Sequence, residues 1–108
     1  MNIKLPYPIE VYFRAANAHD SKTLAGCFAE DAVVHDEGKE YRGLAAIREW
    51  NETTSRIYEL SLEVVSAALE NGENVVTAMA SGNFEGSPAA IEFHFVVENQ
   101  KVTSLRCE

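Results

Sequence analysis

The sequence predicts an α+β fold in which three N-terminal helices pack on one face of a curved antiparallel sheet. Apolar residues recur at helical spacing in the first half of the chain, whereas from Tyr58 onward apolar and polar residues alternate with period two. Turn signals separate the alternating segments, which is typical of an antiparallel meander. The face of the sheet that the helices cover can line an internal pocket.

Length and charge limit the classes of function. The 108 residues, 46% of them hydrophobic, support one domain over residues 1–108 with one core. Seventeen acidic against nine basic residues give a net charge of −8, which argues against nucleic acid and anionic membranes as partners. No apolar run approaches the roughly 20 residues of a membrane helix, and we expect a cytoplasmic protein. Neutral or cationic ligands remain open.

The two cysteines form no recognisable metal site. Cys27 and Cys107 stand far apart in the sequence, and no Cys/His spacing that could close a zinc site is present. Phosphate-binding loops and nucleophile motifs are also missing from the sequence. We therefore expect reduced thiols, no metal and no cofactor.

The first two helices are predicted before residue 32. Residues 8–18 read as an amphipathic helix, because Pro8 suits a first helical turn and apolar residues follow at i, i+4 and i+7: Ile9, Phe13 and Ala16. Asp20 or Ser21 can cap a second short helix. One face of that helix carries Leu24, Cys27 and Phe28, and Glu30-Asp31 ends it.

A short strand and a third helix follow. The strand is predicted over residues 32–36, and a loop is predicted between Gly38 and Gly43. The third helix runs to about Thr54. Its apolar face is marked by Leu44, Ile47, Trp50 and Asn51.

The second half of the chain is predicted to be a meander. Its four strands cover residues 58–69, 73–84, 89–98 and 101–107. Asn71-Gly72 is a strong hairpin signal, because a type I′ turn needs positive φ at both central positions. Gly86-Ser87-Pro88 predicts the next reversal and Asn99-Gln100 the last.

Several runs of residues carry a family resemblance: Asn17-Ala18-His19-Asp20, then Leu24, Phe28-Ala29-Glu30-Asp31-Ala32-Val33-Val34-His35-Asp36, Tyr41-Arg42-Gly43 and Ala46-Ile47-Arg48. With the strand spacing and the closing run of residues 101–106, they resemble the nuclear transport factor 2-like superfamily. The nearest branch is that of the SnoaL-like polyketide cyclases and ketosteroid isomerases. The resemblance implies an α+β cone with an internal pocket. The reaction stays open, because the superfamily includes isomerases, dehydratases, cyclases, epoxide hydrolases and non-catalytic binding proteins.

The resemblance to the steroid isomerases implies three catalytic positions. Tyr12 falls on a hydrogen-bond donor of the first helix, Asp36 on the general base, and Glu92 on a second carboxylic acid that is kept protonated. Two residues depart from the isomerase pattern. Glu92 is one methylene longer than the aspartic acid of the isomerase pattern, and Glu37 stands where that pattern has proline.

These residue types suit proton abstraction next to a carbonyl. That reaction needs an ionised base and a donor aimed at the oxygen that becomes negative. Asp36 would be the base, with Tyr12 and a protonated Glu92 as the donors. The alternatives are a solvated Asp36 at a strand end and a Tyr12 that belongs to the core. A binding or dimerisation module without chemistry is the competing function.

The position of Glu92 depends on which face of its strand points inward. One face carries Ile91, Phe93, Phe95 and Val97, and the other carries Glu92, His94 and Val96. An inward Glu92 would leave the apolar face outside, where a homodimer would cover it. An inward apolar face would instead send Glu92 and His94 to solvent.

Histidines and aromatic residues complete the candidate site. His94 with Asp36 would suit a dehydratase, whereas His35 lies on the opposite strand face from Asp36 and His19 lies near a helix end. Four aromatic residues are possible walls of a pocket for a small apolar molecule, although packing suits most of them equally well: Phe13, Trp50, Tyr58 and Phe84.

Overall fold

The structure, a computed structural model, describes residues 3–108 as three helices on one face of a six-stranded sheet. The helices are α1 (Tyr7–Asn17), α2 (Ser21–Gly26) and α3 (Leu44–Tyr58). The strands are β1 (Phe28–Asp36), β2 (Lys39–Arg42), β3 (Ser61–Glu70), β4 (Glu73–Ser81), β5 (Ala89–Glu98) and β6 (Lys101–Cys107). The predicted α+β class, with three helices and a curved sheet, is confirmed. None of the helices in the described range combines the length and the apolar character needed to cross a membrane.

The sheet is mixed rather than wholly antiparallel. Its strand order is β2-β1-β6-β5-β4-β3, and β1 runs parallel to β6 with Val34 beside Leu105. The prediction of an antiparallel sheet is therefore wrong for this pair. Alternation reports which face of a strand is buried, and it does not report the direction of the neighbouring strand. Four strands and α3 lie between β1 and β6 in the chain, and β6 then returns beside β1 in the same direction.

The elements around β1 also differ from the sequence prediction. Helix α2 ends at Gly26 instead of at Glu30-Asp31, and Phe28, predicted on a face of that helix, begins β1. A register shift between Phe28 and Val33 interrupts the pairing of β1 with β6. This irregularity hides the first half of the strand from a period-two pattern. The predicted loop contains a strand, β2, whose Lys-Glu-Tyr-Arg sequence is mostly exposed at the sheet edge.

The connections explain the remaining differences. Asn71 and Gly72 have φ of 51° and 79°, so the predicted hairpin turn between β3 and β4 is confirmed. Helix α3 continues past Thr54 to Tyr58, and β3 starts only at Ser61. Strand β4 ends at Ser81 because the chain turns back toward the end of α3.

The core is an aromatic cluster between α1 and the inner face of the sheet. The ring of Phe95 is fully buried and lies 5.3 Å from Tyr12, 5.9 Å from Phe13 and 6.2 Å from Phe93, measured between centroids. Most of these ring pairs meet edge to face, which is the favoured arrangement of aromatic rings. This cluster fixes α1 against the sheet and thereby positions Tyr12.

Replacing Asp20 by alanine tests the cap of α2. The Asp20 carboxylate accepts from the backbone N–H and the hydroxyl of Thr23, at 3.1 and 2.7 Å. Both hydrogen bonds lower the pKa of Asp20, and the bond from the Thr23 hydroxyl has the larger effect. The cap therefore stabilises the fold at neutral pH, and its contribution is lost as the pH falls through this lowered pKa. We expect Asp20→Ala to unfold at a lower urea concentration at pH 7 and to approach wild type in strong acid.

The control for this prediction is Asp31→Ala, which removes an exposed acid that caps no helix. A stability difference for Asp20→Ala that stayed constant over the whole acid range would contradict the role of the ionised cap.

Candidate active site

A cavity of about 420 Å³ lies between α1, α3 and the inner face of the sheet. The walls are largely apolar, with a few polar groups among them. The lining residues are Tyr12, Ala16, Asp36, Glu37, Trp50, Asn51, Thr54, Ser55, Tyr58, Leu60, Leu62, Phe84, Ile91, Phe93, Cys107 and Glu108. An apolar cavity with a few convergent polar groups is the usual form of a small-molecule site.

Asp36 is held in this cavity by an indole. It is the last residue of β1, half-buried, and its Oδ2 accepts a hydrogen bond from Nε1 of Trp50 at 3.0 Å. Trp50 is buried in α3 and packs against Tyr41 with ring centroids 6.0 Å apart. In the described part of the chain, Oδ1 of Asp36 accepts no hydrogen bond and the carboxylate has no ion-pair partner. One carboxylate oxygen is thus fixed and the other is free for a ligand.

Tyr12 supplies a buried hydroxyl to the same cavity. Its side chain is 2% exposed and is surrounded by aromatic rings, with Phe13 and Phe95 the nearest at 5.1 and 5.3 Å. The hydroxyl bonds to none of residues 3–108, and no fully buried polar side-chain atom there is left unpaired. The hydroxyl is therefore accessible from the cavity. Burial raises the pKa of Tyr12 well above its ordinary value, so the side chain stays a neutral donor.

Asn51 is a second donor, which sequence reasoning missed. It follows Trp50 in α3 and is 5% exposed, and its Oδ1 accepts a hydrogen bond from the buried hydroxyl of Ser21 at 2.7 Å. This bond fixes the amide, and Nδ2 donates to no residue that the structure describes. The signal was an amide at an apolar position of the α3 pattern, a place where burial requires a partner. The sequence pattern does not predict that Nδ2 of this amide faces a cavity.

Glu92 and His94 lie outside the cavity. Ile91 and Phe93 face inward, so the alternative that places Glu92 inside does not hold, and the dehydratase pair of His94 with Asp36 does not form. On the outer face, Nε2 of His94 lies 2.9 Å from Oε1 of Glu92, and Nδ1 lies 3.3 Å from Oε1 of Glu73. The apolar pattern decides the register, because burying four apolar side chains outweighs burying one carboxylate.

Two further predictions, on His35 and on the homodimer, also concern the two faces of the sheet. His35 lies on the outer face as well, exposed, with Nδ1 3.9 Å from Oε2 of Glu40. The apolar face of β5, which a homodimer would cover only if Glu92 pointed inward, is covered by the helices of the same chain. Homodimer formation stays a prediction.

The aromatic walls are built mainly by the end of α3 and the loop after β4. A Cβ on Gly82 would clash with the backbone carbonyl oxygen of Tyr58, so only glycine lets the two segments approach. The N–H of Asn83 donates to that carbonyl at 2.7 Å. Tyr58 and Phe84 then meet at 87° with centroids 6.4 Å apart. Phe13 belongs to the core and does not line the cavity, so its predicted place among the walls is wrong.

The two cysteines are free thiols with suppressed ionisation. Burial raises the pKa of Cys27 to about 12, and burial raises that of Cys107 as well. Since the thiolate is the nucleophilic form, the Cys107 side chain in the cavity wall acts as an apolar surface.

The comparisons with known proteins identify the family. The model of the SnoaL-like domain matches residues 9–105. The chain belongs to the SnoaL-like family. A search among curated proteins found no match.

Solved structures share the architecture of this SnoaL-like protein. A candidate polyketide cyclase from Sinorhizobium meliloti is 30% identical with a TM-score of 0.92, over 96% of this chain and 95% of that chain. A protein of ketosteroid isomerase-like fold from Catenulispora acidiphila, in complex with trimethylamine, is 17% identical with a TM-score of 0.84. The match covers 97% of this chain and 86% of that chain. SalBIII, an epoxide hydrolase/cyclase-like enzyme with a role in pyran ring formation in the polyether salinomycin, is 21% identical with a TM-score of 0.75. The match covers 94% of this chain and 86% of that chain. The last two likenesses concern the fold alone.

Proposed function

We propose that this SnoaL-like protein catalyses cofactor-free proton transfer next to a carbonyl, as an isomerase or cyclase of a small, largely apolar substrate. The observation that carries the proposal is the meeting of three groups in one apolar cavity. These are the Asp36 carboxylate oriented by Trp50, the unpaired hydroxyl of Tyr12 and the unpaired amide of Asn51. The name of the S. meliloti neighbour, a candidate polyketide cyclase, supports the same class of reaction.

In the proposed reaction, Asp36 removes a proton from the carbon next to the carbonyl. The electron pair of that C–H bond forms an enolate, whose oxygen becomes negative. Tyr12 donates its O–H, and Asn51 its N–H, to this oxygen. Protonated Asp36 then returns the proton to another carbon, which gives an isomer. In a cyclisation, the enolate carbon instead attacks a second carbonyl, and the resulting alkoxide takes the proton from Asp36.

The isomerisation of 3-cyclohexenone to its conjugated isomer, 2-cyclohexenone, tests the proposal. The wild-type protein should accelerate this reaction above the buffer rate, and Tyr12→Phe should lower turnover by about a hundredfold because one donor to the enolate oxygen is lost. The increase in ultraviolet absorbance of the conjugated product is the measurement. Tyr58→Phe is the matched control, because it removes a hydroxyl from the cavity wall outside the proposed oxyanion site. A wild-type rate equal to that of buffer for this ketone and for other enolisable ketones would refute the proposal.

Asn51→Ala tests the second donor. We expect a loss of turnover of about a hundredfold, since an oxyanion donor is removed from a site sheltered from water. The substitution also leaves the Ser21 hydroxyl without its acceptor. Ser21→Ala is therefore the control, because it breaks the same buried hydrogen bond and leaves the amide in the cavity. Equal turnover in Asn51→Ala and Ser21→Ala would show that the bond, and not the amide donor, matters.

Ligand binding without turnover is the second candidate function. The aromatic walls favour it, because Trp50, Tyr58 and Phe84 would hold a flat ligand whether or not Asp36 acts as a base. Calorimetric binding of ketones that show no proton exchange in the wild-type protein would support this candidate against the first.

A further inference from the structure

The charges that line the cavity are all of one sign. Among the cavity-lining residues that the structure describes there is no lysine, arginine or histidine, whereas three are acidic. The Glu108 carboxylate is bound to Arg106. Asp36 and Glu37 form no ion pair with any residue between 3 and 108. An anionic ligand would therefore bring a buried negative charge beside Asp36 with no cation to offset it.

The carboxylate of Glu37 belongs to the rim of the cavity. Glu37 occupies the turn between β1 and β2 and is exposed, and it lines both the cavity and an adjoining surface groove. Tyr58 and Thr54 also line both. The groove carries one cation, Lys39, against three acids, Asp36, Glu37 and Glu49, so its charge is negative overall. The rim thus combines a negative charge with an aromatic ring at the place where a ligand passes from water into the cavity.

Aromatic side chains make up five of the lining residues: Tyr12, Trp50, Tyr58, Phe84 and Phe93. The rings of Tyr58 and Phe84 stand at 87° to each other, so they cover two adjacent walls. The face of an aromatic ring attracts cations, and alkylated ammonium groups suit such walls because they are weakly hydrated. Quaternary ammonium groups have no N–H donor, so they can lie against these ring faces without a hydrogen-bond acceptor.

We propose that the cavity selects ketones that carry a quaternary ammonium group. The inference rests on the proposed function and names its substrate class. The carbonyl lies at Tyr12 and Asn51, with the adjacent carbon at Asp36. The ammonium group lies toward the rim, between the ring of Tyr58 and the carboxylate of Glu37. This placement leaves Asp36 free to act as the base.

Three methyl ketones of one chain length test this selectivity: 5-(trimethylammonio)pentan-2-one, its neutral isostere 6,6-dimethylheptan-2-one, and the anion 5-oxohexanoate. Dissociation constants are measured by calorimetry, and exchange of the protons next to the carbonyl is followed by NMR in D₂O. We expect the ammonium ketone to bind about tenfold more tightly than the neutral isostere. The anion should bind at least about tenfold more weakly than the isostere.

Glu37→Gln should reduce the preference for the ammonium ketone over its neutral isostere by several-fold, because the negative charge at the rim is lost. The matched control is Glu63→Gln, which removes the same charge from an exposed residue outside the cavity. If both variants reduce the preference equally, the overall charge of the protein and not the rim accounts for it, and the proposed placement is wrong.

The failures of the two proposals are distinguishable. Equal affinity for the ammonium ketone and its isostere, with exchange intact, overturns the selectivity and leaves the proton-transfer function standing. A strong ammonium preference with no exchange of any ketone supports the selectivity and overturns the catalytic function. If the ammonium ketone binds tightly but its own protons do not exchange while those of the isostere do, the cation pairs with Asp36, and the rim placement is overturned.

Discussion

Asp36→Asn should reduce turnover of an enolisable ketone by about a thousandfold, within the range expected for the loss of a general base. The substitution keeps the size and shape of the side chain. The amide oxygen can still accept the hydrogen bond that Nε1 of Trp50 donates at 3.0 Å, so the fold and the cavity should persist. The measurements are the initial rate of 3-cyclohexenone isomerisation and the rate of proton exchange in D₂O.

Two comparisons make this result specific. Asp31→Asn removes a carboxylate from an exposed position of the same strand, and it should leave the rate unchanged. The double variant of Asp36→Asn with Tyr12→Phe should lose little more activity than Asp36→Asn alone, because residues that act as a unit are not additive. Turnover near the wild-type rate in Asp36→Asn would place the base elsewhere.

The fold could be predicted from the sequence because its strongest signals are local. The apolar stripe of α1, the alternation of β5 and the Asn71-Gly72 turn each determine their own element. Strand direction is not local. The parallel pairing of β1 with β6 joins residues far apart in the chain, such as Val34 and Leu105, and no pattern within either strand specifies it.

The candidate site could be predicted only in part, for a related reason. Asp36 and Tyr12 came from a family resemblance, and the structure brings both to one cavity. Glu92 came from the same resemblance, but the strand around it is apolar at every second position, and that pattern turns Glu92 outward. Asn51 could not have been assigned, because its role depends on a hydrogen bond to Ser21 in another helix.

The largest loss of stability is expected for Phe95→Ala. Phe95 is fully buried in β5, where it meets Tyr12 and Phe13 of α1 and Phe93 of its own strand. Removing a buried phenylalanine ring costs about 3–5 kcal/mol, because the transfer free energy is lost and a void remains. Domains of this size have total stabilities of about 5–15 kcal/mol, so the variant should be close to unfolding at 37 °C. Urea denaturation followed by tryptophan fluorescence measures the change.

Phe84→Ala is the matched control, since it removes the same ring from a half-buried wall that already borders empty space. It should cost less of the free energy of unfolding than Phe95→Ala, because fewer atoms lose contacts. Equal losses for the two variants would mean that the cavity is filled or collapsed in solution. The catalytic proposal would then fail, because Asp36, Tyr12 and Asn51 need that space to meet a substrate.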